Sequence, residues 1–270
     1  MARSLDPGID RVLAYLMRRR LYRTVINRAH DSPSQPSSWH PGIADVQERL
    51  IRSYAPGRSF ADIGCIWGVD GAFAFLAEEA GATRVTAMDI RPRTEAYLAE
   101  EHRRSSAVRF VRGDLHKPST VEEVGVHDVV WCSGVMYHTP HVFLAMEHLL
   151  KMCREYLIVG TKGIPSVPGL PGAAVYYPGL DARERKACEA IAGSVASKPY
   201  MQGRVLGNWF WGLAPETLAG LARSIEQVEL VERVELPWQG RHDDVYLVLR
   251  RSSPATDAAQ SPANAWVASK

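Results

Sequence analysis

The sequence predicts an α/β fold built on a doubly wound, mostly parallel sheet of seven strands. Three observations lead there. Short apolar runs alternate with segments of helical period from Phe60 to Val159, as in strands joined by crossover helices. Successive runs end in an acid or a glycine, at Asp62 and Gly64, Asp89, Gly113-Asp114 and Ser133-Gly134. Right-handed crossovers bring such ends to one edge of a sheet. The first run passes into FADIGCIWGVDG (60–71), a strand, a glycine turn and the start of a helix. Gly64 and Gly68 let the backbone pass close to a ligand, and the helix after them presents free N–H groups there. That arrangement suits a nucleotide-like cofactor.

The elements follow in order. Residues 1–30 carry apolar side chains at spacings of three and four, from Ile9 to Ile26, with arginines between them. Such a basic amphipathic helix either meets an anionic partner or presents a solvated face over the core. The Pro- and Ser-rich stretch 31–42 reads as a linker or lid edge. Its Trp39 and His40 either close over a ligand or anchor the segment. A short helix is expected over Ile43–Tyr54, so residues 1–55 form an N-terminal helical lid segment. Strands are expected at Phe60–Ile63, Val85–Ala87, Val108–Val111, Asp128–Cys132 and Tyr156–Val159. Helices are expected at Ala72–Glu79, Arg93–Arg103 and His141–Met152.

After Thr161 the alternation stops. Residues 162–207 hold many glycines and prolines, a charged helical piece (Asp181–Ile191) and Tyr176, Tyr177 and Tyr200. That length is too great for an ordinary connection and reads as a functional insertion or cover. A helix (Pro215–Ser224) and two late strands (Val228–Leu236, Val245–Leu249) complete the sheet, the late pair most simply antiparallel. The main domain is therefore 56–250, and 251–270, rich in Ser, Ala and Pro, is expected to be disordered.

Composition narrows the function classes. A net charge of +2 does not demand a nucleic-acid partner. The four cysteines show no paired metal-ligand spacing and read as reduced thiols of a cytoplasmic protein, with no metal expected. No apolar run reaches the length of a membrane span.

The strand ends carry the chemistry. Asp89 follows Gly68 by 21 residues, where an acid on the second strand tip reaches a ribose. A carboxylate accepts both sugar hydroxyls, although Asp89 could instead cap the helix after Arg91-Pro92. Asp114 stands where an adenine amine would be met, with Leu115 beside it to pack on the ring, and could alternatively cap a loop. Asp62 would hold an amine or orient the glycine turn. Ile66 occupies the place of a glycine that a dinucleotide turn needs, and no phosphate-binding Lys-Ser/Thr is present. A smaller nucleoside cofactor without a pyrophosphate fits better.

Taken in order, DIGCIWG (62–68), TAMDI (86–90), VRGDL (111–115) and DVVWCSGVMYH (128–138) resemble the class I S-adenosylmethionine-dependent methyltransferases. With LLKMCREYLIVGT (149–161) and NWFWGLAPETLAGL (208–221), the last piece is similar to a branch that holds the tRNA wobble-uridine carboxymethyltransferase and small-molecule methyltransferases. The resemblance implies a Rossmann-like methyltransferase fold and S-adenosylmethionine as cofactor. It implies that Asp62, Gly64, Cys65 and Gly68 line the methionine part and that Asp89 binds the ribose. Ile90 would pack on the adenine, Asp114 and Leu115 would address its amine and ring, and Ser133 would lie near the methyl group.

A sulfonium methyl is already electrophilic, so the protein mainly aligns a nucleophile and removes its proton. Tyr137 and His138, past the fourth strand, are the candidates facing the methyl, with His138 as general base. The alternative has Tyr137 packing under the cofactor and His138 capping the next helix; His141 is a further candidate base. Tyr176, Tyr177, Tyr200, Asn208, Trp209 and Trp211 are candidate walls for the substrate or else core residues. The expected reaction is in-line methyl transfer to an oxygen or nitrogen of a small molecule, such as a natural product, sugar or glycolipid precursor. A tRNA-modifying enzyme and a non-catalytic cofactor-binding partner protein are the alternatives, and a homo-oligomer stays open.

Overall fold

The computed structural model describes residues 42–167, 169–184, 208–236 and 243–252. The basic N-terminal pattern, Trp39, His40, Tyr200, Cys188 and residues 253–270 of the expected tail lie outside the described residues, while Arg251, expected in that tail, ends the last strand. In order, the elements are α1 (Ile43–Tyr54), β1 (Ser59–Ile63), α2 (Ala72–Glu79), β2 (Arg84–Asp89), α3 (Glu95–Arg104), β3 (Arg109–Arg112), α4 (Pro118–Val124), β4 (His127–Ser133), α5 (Val142–Met152), β5 (Cys153–Gly163), β6 (Ala174–Tyr176), β7 (Trp211–Leu213), α6 (Pro215–Ile225), β8 (Val228–Leu236) and β9 (Asp243–Arg251).

Seven strands form one sheet in the order β3-β2-β1-β4-β5-β9-β8. The first five are parallel, and β9 runs antiparallel between β5 and β8. The last two strands thus enter the sheet in reverse of their chain order. Their sequences explain the choice. The apolar run VYLVL in β9 is buried on both faces, which suits an inner strand, whereas VELVERVEL in β8 alternates and suits an edge.

Alternation along each strand divides the core into two layers. On one face Phe60, Val85, Val129, Trp131, Ile158 and Val248 pack with Leu50 and Ile51 of α1, Phe75 of α2 and Tyr97 of α3. On the other face Ile63, Met88, Val130, Leu157 and Leu247 pack with Val124 of α4, Leu149 of α5 and Leu218 of α6. Leu50 and Ile51 have no exposed surface, so α1 is a structural layer of the sheet as well as a neighbour of the site.

Local chemistry sets the helix starts. Thr94 caps α3, its hydroxyl accepting from Tyr97 N at 3.1 Å, so this helix begins two residues later than the sequence pattern suggests. Proline at the first turn starts both α4 and α6. The helix α4 was not read from the sequence: at seven residues it is too short to show a helical period. Where the insertion was expected, β6 pairs antiparallel with β7, so that a two-stranded ribbon covers the end of β5. At the start of the expected Asp181–Ile191 helix, Asp181 and Glu184 bond each other's backbone N–H reciprocally, a capping-box pattern; residues beyond Glu184 lie outside the described set.

Candidate active site

The strand order reverses between β1 and β4, and in such sheets a crevice forms outside the carboxyl ends of the two strands at that point. The two turns that flank it are in contact. Gly64, after β1, has φ +87°, and a Cβ there would lie 2.4 Å from Val135 Cγ2 in the turn after β4. Only glycine meets both conditions. The turn is tied to β2 by Gly64 N donating to Met88 O at 2.8 Å. The space above Gly68, which also has a positive φ, is open within 4 Å.

Asp62 sits at the base of this turn, almost fully buried. It accepts from the backbone N–H of Ala74 in the first turn of α2. Its Oδ2 has no hydrogen-bond partner among the described residues. Burial and the nearby charge of Asp89 push its carboxyl up to about 8. Asp89 does not cap α3, a role taken by Thr94. Its Oδ2 accepts from Ile66 N at 2.9 Å and its Oδ1 from Arg91 N at 2.8 Å. One carboxylate therefore sets the spacing between the glycine turn and the loop after β2. Ile66 is buried and donates its backbone N–H inward, while Trp67 is exposed with the Arg91 guanidinium 3.9 Å above its ring. Ile90 is exposed beside them.

Beyond β3, Asp114 Oδ1 accepts from both the backbone N and the ring Nδ1 of His116, each at 2.9 Å. Burial raises the Asp114 carboxyl, but these two donors outweigh it and hold it below the ordinary value. His116 Nε2 meets the hydroxyl of Thr139, a buried residue in the turn after β4.

Two of the expected cofactor contacts have buried side chains. The Cys65 side chain has no exposed surface and packs in the cluster of Phe60 and Ile66. Burial, with Asp62 and Asp89 nearby, pushes its thiol far up. Leu115 is buried among Met136, Met146 and Leu149 instead of standing free to cover a ring. Alternation past β3 turns Leu115 into the core, and His148 donates to its carbonyl at 2.6 Å.

At the tip of β4 the Ser133 hydroxyl shares a hydrogen bond of 3.0 Å with Tyr246 of β9, whose oxygen accepts from Gln47 Nε2 of α1 at 2.6 Å. A side chain at Gly160 would collide with both Tyr246 and Ser133. Sequence reasoning missed Gln47 and Tyr246, which read as ordinary positions of a helix and an apolar strand. Next to them Lys162 of β5 and Asp244 of β9 form a buried ion pair of 2.5 Å.

The turn after Ser133 holds the expected catalytic pair. The rings of Tyr137 and His138 lie 4.0 Å apart, and Trp209 lies 4.4 Å from Tyr137. His138 does not cap α5, whose first flanking residue is His141. Its Nδ1 lies 2.7 Å from the carbonyl of Asn208. A carbonyl only accepts, so Nδ1 carries the proton and, in the neutral ring, Nε2 carries the lone pair. Burial, with Asp244 and Tyr246 nearby, pushes the Tyr137 phenol up, so it stays protonated at neutral pH.

Of the expected substrate walls, Tyr176 is exposed and packs at a tilt on Trp211, ring centroids 4.7 Å apart. Tyr177 is buried, its hydroxyl in the space a Gly212 side chain would fill. In that position its ring packs under the two-stranded ribbon. Asn208 and Trp209 are buried, Trp209 between Tyr137 and Tyr177. An open groove on α6 and β8, lined by Pro171, Glu216, Gly220, Arg223 and Arg233, contains none of these residues. Among the described residues no group of His, Cys, Asp or Glu is arranged to hold a metal, and no helix is long and apolar enough to cross a membrane.

Comparison with known proteins bears on the fold. Residues 61–160 match a family model described as a methyltransferase domain. No curated protein matches the sequence. Among solved structures, the chain is similar to 1,6-didemethyltoxoflavin-N1-methyltransferase from Burkholderia thailandensis with bound 1,6-didemethyltoxoflavin and S-adenosylhomocysteine. Identity is 15%, the TM-score is 0.54, and the match covers 94% of each chain. It is similar to the N-methyltransferase NodS from Bradyrhizobium japonicum WM9 in complex with S-adenosylhomocysteine, at 17% identity and TM-score 0.52, covering 86% of this chain and 98% of that one. It is also similar to the [4+2]-cyclase SpnF, at 12% identity and TM-score 0.53, covering 88% and 96%. Residues 61–160 thus match a methyltransferase domain, and the seven-stranded, mostly parallel sheet with its flanking helices is the Rossmann-like methyltransferase fold.

Proposed function

We propose that this protein transfers the methyl group of S-adenosylmethionine, in line, to an oxygen or nitrogen of a small molecule held beneath the β6–β7 cover, with His138 as the general base. The observation that carries the reading is the His138 tautomer. The Asn208 carbonyl accepts a hydrogen bond from Nδ1–H, and the ring is held against Tyr137 in the turn after β4. In that tautomer of the neutral ring Nε2 is the basic atom, the one to which the proton of a hydroxyl or amine would move as it attacks.

The residues at the crevice fit the cofactor. The unpartnered oxygen of buried Asp62 suits an amine, and the Gly64 turn has no room for a side chain. Asp89 would accept from the ribose hydroxyls, which its existing bonds to Ile66 and Arg91 leave lone pairs to do. Exposed Ile90 would cover one face of the adenine. When bound, the cofactor supplies the electrophilic methyl group. Ser133, held by Tyr246, would orient the groups near it, and the Tyr137, Trp209 and Trp211 rings would exclude water from the reacting atoms. The small-molecule neighbours support this acceptor class, since two carry N-methyltransferase names and one holds its heterocyclic ligand.

The test is methyl transfer from labelled S-adenosylmethionine to a panel of hydroxylated and amino-bearing small molecules and to bulk tRNA. For the acceptor found, His138→Ala should lower kcat by about 10²- to 10⁴-fold while S-adenosylhomocysteine affinity changes little. Unchanged kcat removes His138 from the mechanism. Transfer to tRNA alone overturns the small-molecule reading. No transfer to any acceptor, with the cofactor still bound, points to a non-catalytic protein or to another chemistry on this fold.

A further inference from the structure

We propose that His116 is a positioning residue that holds the Asp114 carboxylate for the amino group of the cofactor's adenine, and so sets specificity for a 6-aminopurine. This rests on the cofactor reading above and adds to it a residue outside the strand-tip acids.

The geometry is a short chain of three side chains from two different turns. Asp114 Oδ1 accepts twice from His116, from its backbone N and its ring Nδ1. A carboxylate can only accept, so Nδ1 carries a proton. Nε2 of the neutral ring then accepts from the Thr139 hydroxyl. Thr139 is buried and lies in the turn after β4, so it offers a fixed post and not a mobile surface group. The imidazole spans from that post to Asp114. Oδ1 is fully engaged, and the free lone pairs on Oδ2 are left for an outside donor. His116 thereby fixes the direction of the carboxylate, and its two N–H groups favour the ionised form. An ionised carboxylate accepts from the exocyclic amine of adenine and repels the carbonyl oxygen that hypoxanthine puts in the same place. The chain also joins the adenine end of the crevice to the turn that carries Tyr137 and His138.

The test titrates S-adenosylhomocysteine and its inosine counterpart into the wild-type protein and into H116N, H116Q and H116A. An asparagine amide can place its N–H near Nδ1 and keep the bond to Asp114. A glutamine amide reaches toward Thr139 but leaves Asp114 without its side-chain donor. The wild type should prefer the adenosine compound by about tenfold or more. H116N should keep that preference within about threefold, while H116Q and H116A should lose about tenfold of it. A preference in H116Q and H116A equal to that of the wild type overturns the proposal, since loss of mere packing would weaken both ligands alike. A wild type that binds both compounds equally overturns it as well. A wild type that binds neither compound overturns the cofactor reading instead.

Discussion

Substituting Asp62 by asparagine tests the electrostatics at the centre of the site through the pH dependence of folding. Asp62 is buried, with its carboxyl raised from 3.8 to about 8 by burial first and by Asp89 second. The folded protein therefore holds a proton there that the unfolded chain has already released. From about pH 4 to about pH 8 this residue alone should lower stability by about 1.4 kcal/mol per pH unit. A second buried group acts in the opposite sense. His127 donates from Nδ1 to Gly125 O and meets the Thr86 hydroxyl with Nε2. Burial, the largest cause, lowers it from 6.5 to about 4. Between about 4 and 6.5 the unfolded state binds that proton and the folded state does not, so stability rises with pH by a similar slope. The two effects offset each other up to about pH 6.5. Above it, of these two groups, Asp62 alone still titrates between the two states, and its contribution should lower stability by about 2 kcal/mol by pH 8. The assay is urea unfolding at half-unit steps from pH 5 to 8.5 for wild type and D62N. D62N should gain stability up to about pH 6.5 and then level off. A wild type whose unfolding free energy is flat or rises from pH 6.5 to 8, or a D62N protein that still shows the fall, refutes the reasoning. Saturating S-adenosylhomocysteine should reduce the fall, because an ammonium beside Asp62 favours its ionised form.

Two further predictions concern the turns around the crevice. Gly64→Ala forces a side chain into a left-handed conformation and against Val135. It should cost about 2–4 kcal/mol in unfolding free energy and abolish tight binding of S-adenosylhomocysteine in a calorimetric titration. Unchanged affinity would show that the turn is not part of the ligand site. Tyr246→Phe removes the hydroxyl between Gln47 and Ser133 and leaves both partners short of a bond. Chemical denaturation should show a loss of about 1–3 kcal/mol; a Gln47→Leu/Tyr246→Phe pair that recovers much of it would assign the cost to the stranded amide.

Much of the cofactor edge was legible in the sequence because its signals are local. The acids at 62, 89 and 114 each end an apolar run, and the main chain alone carries them to one edge once the strands lie parallel. The same holds for the glycine turn, since a positive φ at Gly64 is a property of one residue. Side-chain direction is less legible than main-chain position. Cys65 and Leu115 lie one residue beyond a predicted contact, and a step of one position turns a side chain to the other face of the sheet. Both went into the core.

Tertiary structure decided what depends on distant parts of the chain meeting. Gln47, Tyr246 and Ser133 are 199 and 113 residues apart, joined by hydrogen bonds only after β9 inserts beside β5. His116 and Thr139 meet because two successive strand ends open onto one crevice, and the tautomer of His138 is set by a carbonyl 70 residues away. Sequence by itself determined the α/β alternation, the acids at the strand tips and the glycine turn, because each rests on backbone propensity and the two-residue period of a strand. The order of the last two strands, the buried polar chains and the pairing of the turn after β4 with the β6–β7 ribbon were decided only in three dimensions. Hydrogen bonds and desolvation act through space, and their partners carry no mark of each other along the chain.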